Sequence, residues 1–266
     1  MSLENLKEDS IINKLFVKRS LLSNLLNGAI TVILFYLIIK YTASKFTHYI
    51  VDWKGVLQYM PRILQGFKAT LLLSFFSLFL SIAIGGILYL GKSSKILFIR
   101  FFATAYSELV IGTPLLVQVI VIYYFVGTAF NIDNRYVMGL LILSVFSGAF
   151  VSEIFKAGID SIDKTQWEAA TSLGFNKFQK YYYIIMPQVI RRILPPLAGQ
   201  LALLVKSSSL LSIIAVTEIT KVMQEIDSRT FATAESYLIL AFGYLLLTYP
   251  ISHFSKFLER KLAYGN

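Results

Sequence analysis

The sequence has no cysteine and only two histidines in 266 residues, which excludes whole classes of chemistry. Disulfides and thiolate metal sites are ruled out, and His48 and His253 show no metal-ligand spacing. The sequence lacks the His-Glu-x-x-His zinc motif, and its Gly-x-x-x-x-Gly-Lys spacing at residues 86–92 falls at the end of a long apolar run rather than between a strand and a helix, as a phosphate-binding loop requires. We therefore expect a chain with no metal site, no catalytic residues and no cofactor of its own.

Charged residues are scarce and apolar residues are abundant. Hydrophobic residues make up 56% of the chain and charged residues 15%, against about 45–50% and about 25% in soluble domains. The formal net charge of +10 follows membrane topology rather than nucleic-acid binding. About twice as many Lys and Arg fall in segments predicted to be inside as in segments predicted to be outside. We predict an all-α membrane protein that lies in a lipid bilayer and binds no nucleic acid.

Six stretches are apolar enough and long enough to cross a bilayer, which takes about 20 residues of helix. We predict spans at residues 21–44, 69–90, 96–126, 137–157, 190–216 and 236–258. The first exceeds the roughly 7–15 apolar residues of a signal peptide, and no cleavage pattern follows it. Residues 48–68 are predicted to form an outer interfacial helix or a linker, and residues 218–235 an outer amphipathic connection.

The third predicted span carries a break in its middle. Gly112 and Pro114 free backbone groups that membrane proteins tolerate only where they are buried or face a water-filled cavity. Broken helices in transporters present such groups to ligands, so the break predicts either a substrate site or a plain proline kink. Thr113 and Gln118 add hydrogen-bonding side chains beside it.

Glu153 is an acidic residue in the fourth predicted span. Ionisable residues within spans are functional candidates, because a charge at membrane depth is costly without a partner. Glu153 is predicted either to accept a substrate ammonium or to form a structural pair with Lys156 or with a neighbouring helix. Lys206 in the fifth span is predicted to line the path or to pair with Glu153 or Glu108.

The run EAATSLGFNKFQKYYYIIMP, residues 168–187, is the longest polar stretch in the middle of the chain. It contains neither Gly nor Pro before Gly174, which supplies the left-handed residue that commonly ends a helix. Asn176 is predicted to cap a second helix with Gln179 as its capping-box partner, and Pro187 to end that helix. We predict a compact helix–turn–helix at the edge of the membrane bundle, shaped to fit a partner.

These segments resemble the permease subunits of ABC importers. Glu168-Ala169-Ala170, followed by Gly174 and Pro187, is similar to the EAA loop of binding-protein-dependent importers. The segments YSELVIGTPLLVQ and SGAFVSEIFKAGIDSI resemble the polar-amino-acid subfamily of permeases, whose substrates include histidine, glutamate, glutamine, arginine and opines. Ile111 stands where that subfamily usually has Arg.

The resemblance implies the fold of a type I ABC importer transmembrane domain, with a five-helix core and one extra N-terminal membrane helix. Residues 1–60 would form a cytoplasmic tail, the extra helix and an outer interfacial segment. Residues 61–262 would form the permease domain, with a cytoplasmic coupling loop at residues 160–190. ATPase-coupling roles are implied for Trp167, Glu168, Ala169, Ala170, Leu173 and Gly174, with Trp167 and Leu173 packing the loop. Substrate-binding roles are expected for Gly112, Thr113, Pro114, Gln118 and Glu153.

The implied function is that of a permease subunit of an ATP-driven amino-acid importer, which forms the translocation path and is not itself an enzyme. Two separate ABC ATPase subunits would bind ATP and Mg²⁺, and an extracytoplasmic solute-binding protein would deliver substrate. A second permease subunit, identical or related, would complete a dimer in a bacterial plasma membrane, with both termini cytoplasmic. Two other classes stay open: an ion-gradient-driven secondary transporter, although no internal repeat is visible, and a membrane-embedded hydrolase, although neither histidine has an obvious partner.

Overall fold

The computed structural model describes residues 21–44, residue 49 and residues 51–263, and all regular structure in them is helical. The predicted tail at residues 1–20 lies outside the described residues. The chain divides into two units, one up to Val51 and one from Asp52 onward. The helices in chain order are α1 (Leu21–Ser44), α2 (Trp53–Leu57), α3 (Met60–Lys92), α4 (Leu97–Gly112), α5 (Leu115–Val121), α6 (Arg135–Asp160), α7 (Lys164–Ser172), α8 (Lys177–Gln179), α9 (Met186–Ser207), α10 (Ile219–Thr230) and α11 (Thr233–Ala263). Two π-helical turns (Ile122–Gly127 and Lys180–Ile185) and a 3₁₀ turn (Ser208–Ile214) continue α5, α8 and α9.

The first unit contributes α1, which coincides with the first predicted span. Its 24 residues rise about 36 Å, more than the roughly 30 Å of a hydrocarbon core. Its apolar side chains are exposed on every side of the helix, as suits a helix that faces lipid. Within the described residues, five helices are suited to cross a membrane, and the bent pair α4–α5 brings the number to six.

In the second unit, α3 and α6 pack against each other through small residues. A Cβ added at Gly148 would lie 2.5 Å from Ile84 Cγ2, and one added at Gly85 would lie 2.6 Å from Val151 Cγ1. Carbon atoms in contact stay about 3.5–4.0 Å apart, so only glycine permits this approach of the two backbones. Small residues at such crossings are typical of membrane helices, where close packing replaces water exclusion as the source of attraction.

Three buried apolar clusters hold the helices of the second unit together. The first joins α2, α3 and α10 and includes Val56, Ile63, Ile219, Val222, Met223 and Ile226. The second joins α3, α5, α6 and α9 and includes Leu73, Val119, Ile142, Leu143, Leu204 and Leu211. The third joins α6, the second π-helical turn and α9 and includes Val151, Ile162, Ile185, Val189 and Ile193.

The second span begins earlier than predicted. Residues 60–68 were assigned to an interfacial segment or linker, but α3 runs unbroken from Met60 to Lys92. Pro61 lies in its first turn, where a missing N–H costs no hydrogen bond. Gly66 then lets α3 approach α10, since a Cβ at Gly66 would lie 3.0 Å from the Ile219 Cα. The packing against α10 therefore extends the helix beyond the apolar run.

The prediction that Pro187 ends the second loop helix is wrong. The second π-helical turn leads directly into α9, and Pro187 lies in the first turn of α9. The wider turn accommodates the proline ring, and the Gln188 side-chain amide donates to the Ile184 carbonyl at 2.9 Å. The polar loop is therefore continuous with the fifth span.

The predicted outer connection at residues 218–235 is the amphipathic helix α10 and the start of α11. Glu218 caps α10 and is fully buried; its carboxylate accepts hydrogen bonds from the backbone N–H groups of Thr220 and Lys221 and from the Tyr244 hydroxyl at 3.0 Å. Burial raises the pKa of the Glu218 carboxyl, and these hydrogen bonds offset part of that rise.

Candidate substrate cavity and coupling loop

The third span is broken at the predicted place. α4 ends at Gly112, α5 begins at Leu115, and the two axes differ by 111°. Thr113 and Pro114 between them have extended backbones. An extended segment ends the helical hydrogen-bond ladder, so carbonyls of the last turn of α4 lose their helical donors.

Gln118 supplies replacement donors at this break. Its side-chain amide nitrogen reaches the Val110 carbonyl at 2.8 Å, the Thr113 carbonyl at 3.1 Å and the Thr113 hydroxyl at 2.9 Å. The Thr113 hydroxyl in turn donates to the Leu109 carbonyl at 2.8 Å. Gln118 is only 7% exposed, so its amide acts as an internal clamp across the two half-helices.

A polar cavity of about 560 Å³ lies beside the break, between the end of α3, α4 and the C-terminal part of α6. Its wall carries three basic and three acidic side chains: Lys92, Arg100, Lys156, Glu108, Glu153 and Asp160. Ser107 also lines it; the Ser107 hydroxyl is buried and has no hydrogen-bond partner among the described residues. Ile111 adds an apolar side chain to the wall.

Glu153 pairs with Lys92 across α6 and α3. The Lys92 ammonium donates to Glu153 Oε1 at 2.6 Å and to the Ser152 hydroxyl at 2.9 Å. The predicted pairing with a neighbouring helix is therefore confirmed, and neither Lys156 nor Lys206 is the partner. Lys206 lies exposed and forms no ion pair within the described part of the chain.

Of the predicted substrate residues, Gly112 and Glu153 line the cavity, whereas Thr113, Pro114 and Gln118 form the break behind it. The substrate roles of all five remain predictions. Sequence reasoning missed Lys92 and, apart from Glu108, the polar cavity-lining side chains of α4. A usable signal existed for α4, because its polar wall residues recur at the three- and four-residue spacing of one helix face: Arg100, Thr104, Ser107 and Glu108. No comparable signal marked Lys92, the last residue of an apolar span.

The predicted coupling loop, residues 160–190, has the turn at Gly174 and the helix cap at Asn176 that the sequence predicted. Asp163 caps α7 by accepting from the Thr165 N–H at 2.9 Å, and this hydrogen bond lowers the pKa of the Asp163 carboxyl. Gly174 has a φ of +76°, the left-handed conformation that ends the helix. Asn176 and Gln179 exchange both bonds of a capping box at 2.9 Å each.

Ala170 and Trp167 hold the loop in shape. Ala170 is 1% exposed, and the Trp167 ring packs edge-on against the Tyr181 ring with centroids 5.1 Å apart. The Lys180 ammonium adds a hydrogen bond to the Thr171 hydroxyl at 2.6 Å. α7 is therefore fastened to the π-helical turn that leads into α9.

The prediction that Leu173 packs the loop is wrong, because 75% of its surface is exposed. The left-handed conformation of Gly174 turns the chain directly after Leu173, and the leucine side chain stays at the surface. Glu168, Ala169 and Phe178 are also exposed, and Phe178 stacks on the Tyr182 ring with centroids 5.7 Å apart. The loop therefore presents a mixed apolar and charged surface of the kind that protein partners cover.

The cavity and the loop are joined by α6. Its last residue, Asp160, lines the cavity, and the next carbonyl, that of Ser161, accepts a hydrogen bond from the Arg192 guanidinium on α9. Asp163 starts the loop helix two residues later. The predicted coupling loop is therefore linked, through Ser161 and Arg192, to the end of the helix that carries Glu153.

Among the described residues, no group of three His, Cys, Asp or Glu side chains is placed to hold a metal ion. The charged residues of the cavity are of both signs.

A helical membrane protein with a broken span, a polar cavity beside the break and an exposed Glu-Ala-Ala loop belongs to the class of transport permeases. Residues 81–264 match the family described as binding-protein-dependent transport system inner membrane component. The chain belongs to this family. Its members are the transport subunits of ABC importers, which work with a binding protein and leave ATP hydrolysis to a separate ATPase subunit.

The chain is similar to several named permeases. It is 35% identical over 219 residues to the probable amino-acid ABC transporter permease protein YckA of Bacillus subtilis, covering 81% of this chain and 96% of the relative. It is 32% identical over 214 residues to the glutamine transport system permease protein GlnP of Escherichia coli K12, covering 79% and 97%.

Solved structures show the same fold. The crystal structure of an amino acid ABC transporter with histidines matches with a TM-score of 0.75 and 33% identity, over 80% of this chain and 100% of that chain. The MetNI methionine ABC transporter in an inward-facing conformation matches in fold, with a TM-score of 0.65 and 15% identity over 77% and 98%. The chain is thus a multi-pass, type I ABC importer permease with an additional helix, α1. These relatives do not favour an ion-gradient-driven transporter or a membrane-embedded hydrolase.

Proposed function

We propose that this permease carries an amino acid through the polar cavity between α3, α4 and α6. The observation that supports it most is the lining, which offers both signs of charge beside a break in the membrane helix. An amino acid needs donors for its carboxylate and an acceptor for its ammonium. Arg100, Lys156 and the unpartnered Ser107 hydroxyl can donate, and Glu153, whose side chain is 48% exposed, can accept. The relatives named for amino-acid and glutamine transport support the same substrate class.

Coupling to ATP hydrolysis is proposed to run through the exposed loop. Glu168, Ala169, Leu173 and Gly174 form its outer surface and dock on the ATPase, while Trp167 and Ala170 keep the loop rigid. A rigid loop transmits displacement to α6, and with it to Glu153, through the Asp160 and Ser161 connection.

The assembly is proposed to contain two ATPase subunits, which bind ATP and Mg²⁺, an extracytoplasmic solute-binding protein and a second permease, identical or related. The two-fold ATPase pair needs two docking loops, so one permease alone leaves one docking site empty. The chain is proposed to lie in a bacterial plasma membrane with both termini cytoplasmic, because its basic residues concentrate in the inner segments.

Reconstitution tests the transport function. Proteoliposomes that contain the permease, its ATPase and its binding protein should accumulate labelled amino acid only when ATP is supplied on the ATPase side. Uptake driven by an ion gradient without ATP would contradict the proposal and restore the secondary-transporter alternative.

Cysteine labelling tests the topology, and the cysteine-free parent gives no background. A thiol reagent that cannot cross membranes should label Asp133→Cys in the outer turn of intact cells. It should fail to label Leu173→Cys, whose side chain is exposed but is proposed to be cytoplasmic. Labelling of Leu173→Cys but not of Asp133→Cys would show that the chain crosses the membrane in the opposite orientation.

A further inference from the structure

The polar cavity is electrically balanced. Its wall has three basic and three acidic side chains, so the formal charges of the lining sum to zero. Among the described residues, Lys92 and Glu153 form the only ion pair within this lining. The other four charged side chains of the lining have no ion-pair partner among the described residues; they are Arg100, Glu108, Lys156 and Asp160.

The pair between Lys92 and Glu153 is asymmetric in exposure. The Lys92 side chain is 13% exposed, and the Glu153 side chain is 48% exposed. Lys92 is also the last residue of α3, where the negative end of the helix dipole favours a cation. The Ser152 hydroxyl accepts a second hydrogen bond from its ammonium at 2.9 Å. The lysine is therefore held in place from three directions, while the carboxylate keeps one side open to the cavity.

The Lys92 ammonium occupies the position beside the Glu153 carboxylate that the cationic group of a ligand would otherwise take. Oε1 already accepts from the Lys92 ammonium at 2.6 Å. A second full cation beside the carboxylate would lie close to Lys92, and like charges at short range in a partly desolvated site repel strongly. The ammonium of a zwitterion meets less resistance, because its own carboxylate lies a few ångströms away and can face Arg100 or Lys156.

We propose that Lys92 is a specificity-determining residue, which neutralises Glu153 and so restricts the cavity to amino acids with no net charge. Cationic amino acids are excluded because they bring an unbalanced charge into a neutral lining and compete with Lys92 for Glu153. Ile111 on the same wall adds an apolar surface, which suits an uncharged side chain. This inference rests on the proposed function, because it assumes that substrate enters this cavity.

The test measures ligand binding to the permease itself. The permease–ATPase complex is placed in nanodiscs without the binding protein, so that the selectivity of the latter does not contribute. Equilibrium binding of labelled L-glutamine, L-arginine and L-glutamate is then compared. The variants are Lys92→Met, Glu153→Gln and the double variant, with Lys95→Met as matched control, since Lys95 is exposed and outside the cavity.

The parent should bind glutamine more tightly than arginine or glutamate. Lys92→Met leaves Glu153 unneutralised, so the affinity ratio of arginine to glutamine should rise about tenfold or more, as expected when one nearby charge is removed. The double variant restores a neutral lining and should return the ratio close to that of the parent, as should Lys92→Arg. Lys95→Met should leave it unchanged. Size-exclusion chromatography of each complex confirms assembly.

Three results would overturn the inference, and they differ in what else they imply. An unchanged ratio in an assembled Lys92→Met complex would make the ion pair purely structural and leave the importer function intact. A parent complex that drives ATP-dependent uptake but binds none of the three amino acids would place the substrate outside this cavity. A double variant that keeps the altered ratio would show that the change comes from shape rather than charge. Absence of ATP-dependent uptake would instead overturn the proposed function itself.

Discussion

Replacing Gln118 with leucine distinguishes a structural clamp from a substrate ligand. The structure gives the Gln118 amide nitrogen three oxygen partners across the break, two of them the carbonyls of Val110 and Thr113. Leucine fills a similar volume but donates no hydrogen bond. Both carbonyls then lose this donor.

The expected cost follows from the burial of the two carbonyls. Each buried acceptor left unpaired costs about 1–3 kcal/mol, and the bond to Val110 is fully buried while that to Thr113 is only partly buried. We therefore expect Gln118→Leu to lower the free energy of unfolding by about 3 kcal/mol. For a unit of this size the midpoint temperature should fall by about 6–12 °C.

Thermal unfolding of the permease–ATPase complex at a fixed scan rate measures this, with Gln200→Leu as matched control. Gln200 is also 7% exposed, but among the described residues its amide nitrogen donates a single bond, to the Ser147 hydroxyl oxygen at 2.9 Å, so only one acceptor loses a donor. Its loss should cost about 1 kcal/mol. An unchanged midpoint for Gln118→Leu, together with weakened amino-acid binding, would refute the clamp and make Gln118 a substrate ligand.

Three further changes test other parts of the structure. Gly174→Val places a β-branched residue at a φ of +76° and should abolish substrate-stimulated ATP hydrolysis in an assembled complex; Gly174→Asn, which tolerates this conformation, should retain it, and normal hydrolysis in the valine variant would contradict the coupling role. Burial raises the pKa of Glu218 above its usual 4.5, so the folded state keeps a proton there that the unfolded chain has lost, and stability falls as pH rises from 4.5 through the raised pKa. The midpoint temperature of Glu218→Gln should therefore fall less steeply across that window than that of the parent, and equal slopes would argue against the assignment. Gly148→Val should destabilise the complex by about 2–3 kcal/mol, because the valine side chain would collide with Ile84. Gly86→Ala should be tolerated, because its Cβ would lie 3.7 Å from its nearest neighbour. Equal midpoint temperatures of the two variants in thermal unfolding would contradict close packing of α3 and α6.

Features that depend on a few neighbouring residues were predictable from the sequence. Gly174 and the Asn176–Gln179 capping box follow from backbone conformation and hydrogen bonding within one turn, and both were predicted. The break at Gly112 and Pro114 was equally visible, because proline removes a donor wherever it lies in a helix. Pro187 was the exception, since its effect depended on a wider helical turn before it and on the side chain of Gln188.

Features that depend on how helices align could not be read from the sequence. Lys156 is one turn from Glu153 and was a natural candidate partner, but the true partner, Lys92, lies 61 residues away in sequence. Its proximity is set by the glycine contacts that fix α3 against α6. Gln118 was assigned to the substrate by its type and position, because the sequence does not show which carbonyls its amide reaches.

The glycine contacts between α3 and α6 also determine which wall of the cavity can move. These two helices are interlocked, so Lys92 and Glu153 travel together and their separation should stay nearly constant through a transport cycle. α4 is held differently: a short turn joins it to α3, the Tyr106 hydroxyl bonds to the Val145 carbonyl of α6 at 2.9 Å, and an extended segment separates it from α5. The cavity thus has a rigid back, which carries the Lys92–Glu153 pair, and a hinged front, which controls its width. Mutations that change the pair are therefore expected to alter selectivity without altering gating, whereas mutations that change the hinge of α4 are expected to alter gating.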